Sequence, residues 1–129
     1  QLLEVGAKRL MKFQWRNFSS QTLYEISQAF CNYRDHKEVQ KRLVATLEGQ
    51  DIAGLKFSNH QLVKVIATLC AAERPDWFSL VYGLLDELFS RERVSELDTT
   101  QRDQLSDCFR KIDKHKAAYY RERIDQPVQ

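Results

Sequence analysis

The chain has 129 residues, 43% hydrophobic and 29% charged, with a formal net charge of +2, the balance of a globular protein with one core. So small a net charge gives no chain-wide basic field of the kind nucleic-acid binders carry, so any such signal has to be local. Two prolines and four glycines are too few turn residues for an all-β fold, which leaves helices joined by short connections.

An apolar run long enough to span a membrane is missing, because Lys64 interrupts the stretch from Leu62, and Asp86 and Glu87 the one from Trp77. Membrane insertion is therefore not expected. The chain starts at Gln1, with no signal-peptide pattern, and reads as a processed protein or an excerpt of a longer one.

Residues 1–17 open with Leu3, Ala7, Leu10 and Met11 at helical spacing, and read as the second helix of a partial hairpin. An internal repeat follows. Residues 18–31 (FSSQTLYEISQAFC) and 57–70 (FSNHQLVKVIATLC) share Phe, Ser, Leu and Cys at the same offsets, a period of 39 residues. A weaker third copy starts at Leu97, with a period of 40. There Leu97 stands for Phe57, Leu105 for Val65 and Phe109 for Leu69, and Cys108 falls one place off the cysteine register. The expected architecture is an all-α stack of helical hairpins, an α-solenoid, with repeats over 18–56 and 57–96 and a C-terminal capping repeat over 97–125.

Each copy begins with a helix-start signal. Ser58 with Gln61, and Asp98 with Gln101, have the spacing of a capping box, whereas Ser19 is followed by Thr22. Leu23, Ile26 and Phe30 in the first copy, and Leu62, Val65, Ile66 and Leu69 in the second, lie on helical stripes. A second helix is predicted over 36–50, carrying Val39, Leu43, Ala45 and Leu47 and ending near Gly49, a residue that tolerates a left-handed helix end. Pro75 suits the first position of the next, whose residues Trp77, Phe78, Leu80, Val81, Leu84, Leu85, Leu88 and Phe89 make a face wide enough for two neighbours. A short last helix is expected over 114–123, and the polar Arg102 and Asp103 fit the outer face of a terminal repeat.

The apolar–serine start, the LYEISQAFC segment, a charged break and a second helix with a leucine pair resemble the octotricopeptide and heptatricopeptide repeats and the related repeats of FAST-kinase-like proteins. The resemblance spans residues 18–112. It implies a mitochondrial or plastid protein that binds RNA, ribosomal RNA in first place, or that sits among neighbouring proteins of an organellar ribosome or other large assembly. The alanine of the family motif stands at Ala29 but is Thr68 and Cys108 in the later copies.

Catalytic chemistry finds no support in the spacing of side chains. His36, His60 and His115 are scattered, and Asp86 and Glu87 point about 100° apart on a helix. No catalytic residue, cofactor, metal or small-molecule substrate is expected. Cys31, Cys70 and Cys108 follow the repeat, so they read as buried reduced thiols, with successive repeats spaced too widely for one zinc ion.

The local basic signal lies at the ends. Lys8, Arg9, Lys12 and Arg16 make residues 1–17 net +3, and Arg110, Lys111, Lys114, Lys116, Arg121 and Arg123 make residues 110–123 net +4, whereas residues 73–98 are acidic. These ends are either phosphate contacts or ordinary solvated helix faces. Off the core stripe of the first helices lie Gln21, Glu25 and Gln28 in copy one and His60, Lys64 and Ala67 in copy two. Gln21, Gln28 and Lys64 are candidate base readers, and Tyr24 could stack on a base. The candidate RNA-binding set is therefore Lys8, Arg9, Lys12, Arg16, Gln21, Tyr24, Gln28, Lys64, Arg110, Lys111 and Lys114. A scaffold subunit that docks on proteins is the alternative, with Trp15, Trp77, Phe78, Tyr119 and Tyr120 as interface aromatics. Convergence of the basic ends with Lys41 and Arg42 on one face favours RNA; scattered cations with exposed aromatics favour the scaffold.

Overall fold

Short polar caps decide where the chain turns helical. In the computed structural model, which describes residues 9, 11–31, 36–49, 52–90 and 93–125, six helices of more than one turn form, and no strand occurs among the described residues. They are α1 (Ser20–Phe30), α2 (Lys37–Glu48), α3 (Asn59–Ala71), α4 (Phe78–Ser90), α5 (Thr99–Phe109) and α6 (Lys114–Asp125). Both predicted capping boxes form. The Gln61 amide donates to Ser58 Oγ at 3.1 Å and the Ser58 amide to Gln61 Oε1 at 3.0 Å. Gln101 donates to Asp98 Oδ1 at 2.8 Å and Asp98 to Gln101 Oε1 at 3.0 Å. Ser19 caps α1 without a return bond, accepting from the Thr22 amide. Replacing Asp98 with alanine leaves free amide donors at the start of α5, and is expected to lower stability by about 1 kcal/mol, measured by urea unfolding.

The helices pair in sequence order, α1 with α2, α3 with α4 and α5 with α6. The first helices also pack side by side, α1 on α3 and α3 on α5. α2 packs on α4, and α4 meets α6 where Tyr120 stacks on Tyr82 and Phe89. The inner pair α3–α4 is the most deeply buried. Val63, Ile66, Leu69, Val81, Leu84, Leu85 and Leu88 are all fully enclosed, because an inner pair must present apolar surface to both neighbours. Leu97, Leu105 and Phe109 are buried like their counterparts Phe57, Val65 and Leu69.

Three expectations about the second helices need correction. Ala45 is exposed, and Val44 is buried in its place. Val39, Leu43 and Leu47 are four apart, so position 45 lies about 200° from Leu43. Gly49 ends α2 with φ −80, its amide still bonded to the Ala45 carbonyl. The left-handed positions fall at Lys56 (φ 57) and Glu73 (φ 53) instead. Glu73 turns the chain out of α3 toward Pro75, which opens a 3-10 turn (Pro75–Trp77) leading into α4. Phe78, predicted as core, is only half-buried. The predicted helix over residues 1–12 falls almost wholly outside the described residues.

Several aromatics expected at an interface are core residues. Trp15, Trp77 and Tyr120 are buried, and Phe78 is half-buried. The Arg42 guanidinium lies 6.0 Å from the Trp15 ring and donates to the carbonyls of Met11 and Phe13. Tyr119 is the member of that set that faces solvent, at 51% exposed.

Candidate nucleic-acid interface

The predicted base readers on α1 and α3 are tied into the packing between copies. Gln21 donates to Glu25 Oε1 at 2.9 Å and accepts from Gln61 Nε2 at 2.7 Å, so the capping-box glutamine of copy two also reaches back to copy one. Gln28, half-buried, donates to Thr68 Oγ1 at 3.0 Å and to the Lys64 carbonyl at 3.4 Å. Asn59 donates to Glu96 Oε2 at 2.8 Å, linking the second copy to the approach to the third. Tyr24 is half-buried, with its ring 6.2 Å from that of His60. These side chains hold neighbouring copies in register, and the amides meet protein partners. The Lys64 side chain is half-buried on the same face. Exposed Asp103 and Asp107 on α5 further weaken any attraction of this row for phosphate.

The two basic segments are placed at opposite ends of the helix rows. Arg9 and Lys12 are exposed beside the 3-10 turn Trp15–Asn17, which packs on α2. Lys8 lies outside the described residues, and of Arg16 only the backbone is described. Lys41 is exposed on α2, whereas Arg42 is occupied against Trp15 and the Met11 and Phe13 carbonyls. Arg110, Lys111, Lys114, His115, Lys116 and Arg121 are exposed around the α5–α6 turn and along α6.

Local chemistry at that turn is uneven. Arg110 is a cation at the C-terminal end of α5, where the helix dipole favours it, and its 3.1 Å ion pair with Asp107 is exposed on both sides. Lys114, His115 and Lys116 occupy the first turn of α6, where the dipole opposes positive charge. Asp113 caps that turn, accepting from the amides of His115 at 3.0 Å and Lys116 at 3.2 Å. No acidic side chain lies in the first turn itself. Both the charge of this segment and the start of its helix at Lys114 follow from the sequence; the Asp113 cap does not, because it has no partner three residues later and so gives no capping-box signal.

Further along α6, Lys116 Nζ lies 5.3 Å from the Tyr82 ring. Arg123 is half-buried over Phe89 and Tyr119, at 5.7 and 5.4 Å from their centroids. A groove of about 1140 Å³ lies between α2 and the α3–α4 corner. Lys37, Lys41 and Arg74 there face Glu38, Glu48, Glu73 and Asp76, so it concentrates neither sign of charge.

The cysteines are all buried and free, and the argument that successive copies hold them far apart needs correction. The thiols of Cys70 and Cys108 interact, which raises the proton affinity of Cys108 and lowers that of Cys70. α3 and α5 pack closely, which brings Cys108, at the Thr68 position of the third copy, near Cys70. Burial pushes the Cys31 thiol up to about 12. Among the described residues no three His, Cys, Asp or Glu side chains gather as metal ligands. Because burial denies the reagent access to each thiol, all three cysteines are expected to resist an aromatic disulfide reagent at pH 8 and to react promptly in guanidinium. Fast native labelling would contradict this packing.

Among the described residues no helix is long and apolar enough to cross a membrane. The chain matches no protein-family model, no curated protein and no solved structure.

Proposed function

We propose that this chain is a non-catalytic helical-repeat protein that binds RNA through phosphate contacts at its C-terminal basic corner. The observation that carries the reading is the placement of Lys114 and Lys116, both exposed, in the first turn of α6. Cations placed against a helix dipole cost stability; the Asp113 carboxylate already occupies the His115 and Lys116 amides, so the attraction for a further anion comes from the Lys114 and Lys116 side chains, which outnumber that single negative charge. A purely solvated helix face gains nothing from that arrangement. Exposed Arg110 and Lys111 in the preceding turn extend the corner.

The finer architecture belongs to the same proposal. The chain is a short α-solenoid with a period of about 39 residues, supported by cross-copy bonds at a separation of 40, Gln21 to Gln61 and Gln28 to Thr68. An organellar, mitochondrial setting and a place in a ribosome rest on the repeat resemblance alone. Arg9, Lys12 and Lys41 at the other end provide a second, weaker anion surface.

A scaffold reading has two observations in its favour: the basic segments lie at opposite ends of the helix rows and do not converge with Lys41 and Arg42, and an aromatic side chain is exposed. Phe13 is 55% exposed at the N-terminal end, its ring 6.1 Å from that of Phe18, which suits a protein partner on that side.

The test is RNA binding by the purified chain across a salt series, with folding followed by circular dichroism. Binding that weakens steeply with salt supports phosphate neutralisation. A folded chain that binds no RNA at low salt overturns the proposal in favour of the scaffold.

A further inference from the structure

The corner carries a feature that phosphate attraction does not explain. Tyr119 and Phe13 are the large hydrophobic side chains exposed among the described residues, and Tyr119 lies within the basic segment. Its ring is held in place. Arg123 Nη1 donates to the Tyr119 hydroxyl at 3.2 Å, and the guanidinium carbon lies 5.4 Å from the ring centroid. Arg123 is itself anchored, lying over Phe89 and donating to the Phe89 carbonyl at 3.5 Å. The Tyr119 and Tyr120 rings meet edge to face, 5.2 Å apart and at 75°, and Tyr120 is fully buried. Tyr119 is thus a fixed aromatic surface, 51% exposed, with little conformational freedom left to lose on binding.

Helical spacing sets its neighbours. His115 is four residues earlier and Lys116 three, so both share its face of α6, with Lys116 Nζ 5.3 Å from the Tyr82 ring, and Glu122 lies three residues later. A fixed ring beside lysines is the combination single-stranded nucleic acids use, with a base on the ring and the backbone on the charges. A duplex keeps its bases stacked internally and offers only phosphates to such a surface.

We propose that Tyr119, braced by Arg123, is a stacking site for one unpaired nucleobase, with Lys116 and Lys114 engaging the adjoining phosphates. This rests on the reading of the α5–α6 corner as an RNA surface, and adds that the corner selects unpaired over paired RNA.

The experiment compares the full chain with Tyr119→Ala and Tyr119→Phe by fluorescence anisotropy. The probes are a short unstructured RNA and an RNA duplex of equal phosphate count, each measured over a salt series. Tyr119→Ala is expected to weaken single-strand binding about five-fold or more. Its salt slope should stay the same, since no phosphate contact is lost, and duplex binding should not change. Tyr119→Phe keeps the ring and is expected to bind within about two-fold of the parent, where an alanine loses the stacking surface. Ultraviolet crosslinking of the parent complex should place the RNA on the peptide that contains Tyr119. Unchanged single-strand binding by Tyr119→Ala, or equal losses on both probes, overturns the stacking site while salt-dependent binding keeps the RNA reading. A parent chain that binds neither probe overturns both.

Discussion

Replacing Tyr120 with alanine is expected to destabilise the fold by about 3–5 kcal/mol, the range for emptying a large aromatic site in a core. For a chain of this size that is a fall in Tm of roughly ten degrees or more. Tyr120 is 1% exposed and lies nearly parallel to Phe89 and Phe109, at 5.6 and 6.0 Å between centroids, and to Tyr82 at 6.4 Å. It therefore joins α4, α5 and α6 through one ring. Its hydroxyl donates to Asp86 Oδ1 at 2.8 Å, and its proton is held well above the ordinary tyrosine range, first by burial and then by that bond. Tyr120→Phe keeps the stack and loses one charge-assisted hydrogen bond, so its cost should be nearer 1–2 kcal/mol. Tyr119→Ala, one residue earlier and half exposed, should melt with the parent. Thermal unfolding by circular dichroism orders the three. A Tyr120→Ala chain as stable as Tyr119→Ala would mean that α6 is not seated on α4 and α5 as described.

That pair of neighbouring tyrosines also marks the limit of what the sequence makes legible. Position along a helix is readable where apolar residues recur, as at Leu62, Val65, Ile66 and Leu69, and there the expected faces are the buried ones. The capping boxes at Ser58 and Asp98 were equally legible, because a side chain three residues from a cap acts locally and needs no tertiary context. Tyr119 and Tyr120 carry the same chemistry in adjacent positions, and only packing against Phe89 and Phe109 decides which is core. The amide side chains show a second limit. Gln21 and Gln28 look like free readers on an exposed stripe, but α1 and α3 approach closely enough for Gln61 and Thr68 to bond them. The contact between Cys70 and Cys108 shows a third, since Cys108 stands at the Thr68 position of the third copy and not at the Cys70 position, and so meets a different neighbour.

The basic corner gives the sharpest test, because binding and stability should move in opposite directions there. Lys114 and Lys116 sit in the first turn of α6, where the capping carboxylate of Asp113 is the one acidic group, so exchanging each for glutamate replaces an unfavourable charge with a favourable one at the positive end of the dipole. Each exchange contributes roughly 0.3–1 kcal/mol to stability. Loss of the Lys116 cation over the Tyr82 ring offsets about 0.5–1 kcal/mol of that gain. The double variant Lys114→Glu, Lys116→Glu should therefore unfold at the parent temperature or slightly above. Its RNA affinity should fall. Two lost phosphate contacts on a single strand lower the salt slope by about 1.4, which at 0.1 M salt is a loss of about 25-fold, before any repulsion from the new carboxylates is counted. The matched control is Arg9→Glu, Lys12→Glu, which removes two exposed cations from the opposite end of the helix rows. If the corner is the RNA surface, the control retains most of its binding and the corner variant does not. Equal losses would mean that affinity follows net charge and not place, and a corner variant that binds like the parent would leave Lys114 and Lys116 as an unexplained cost to α6.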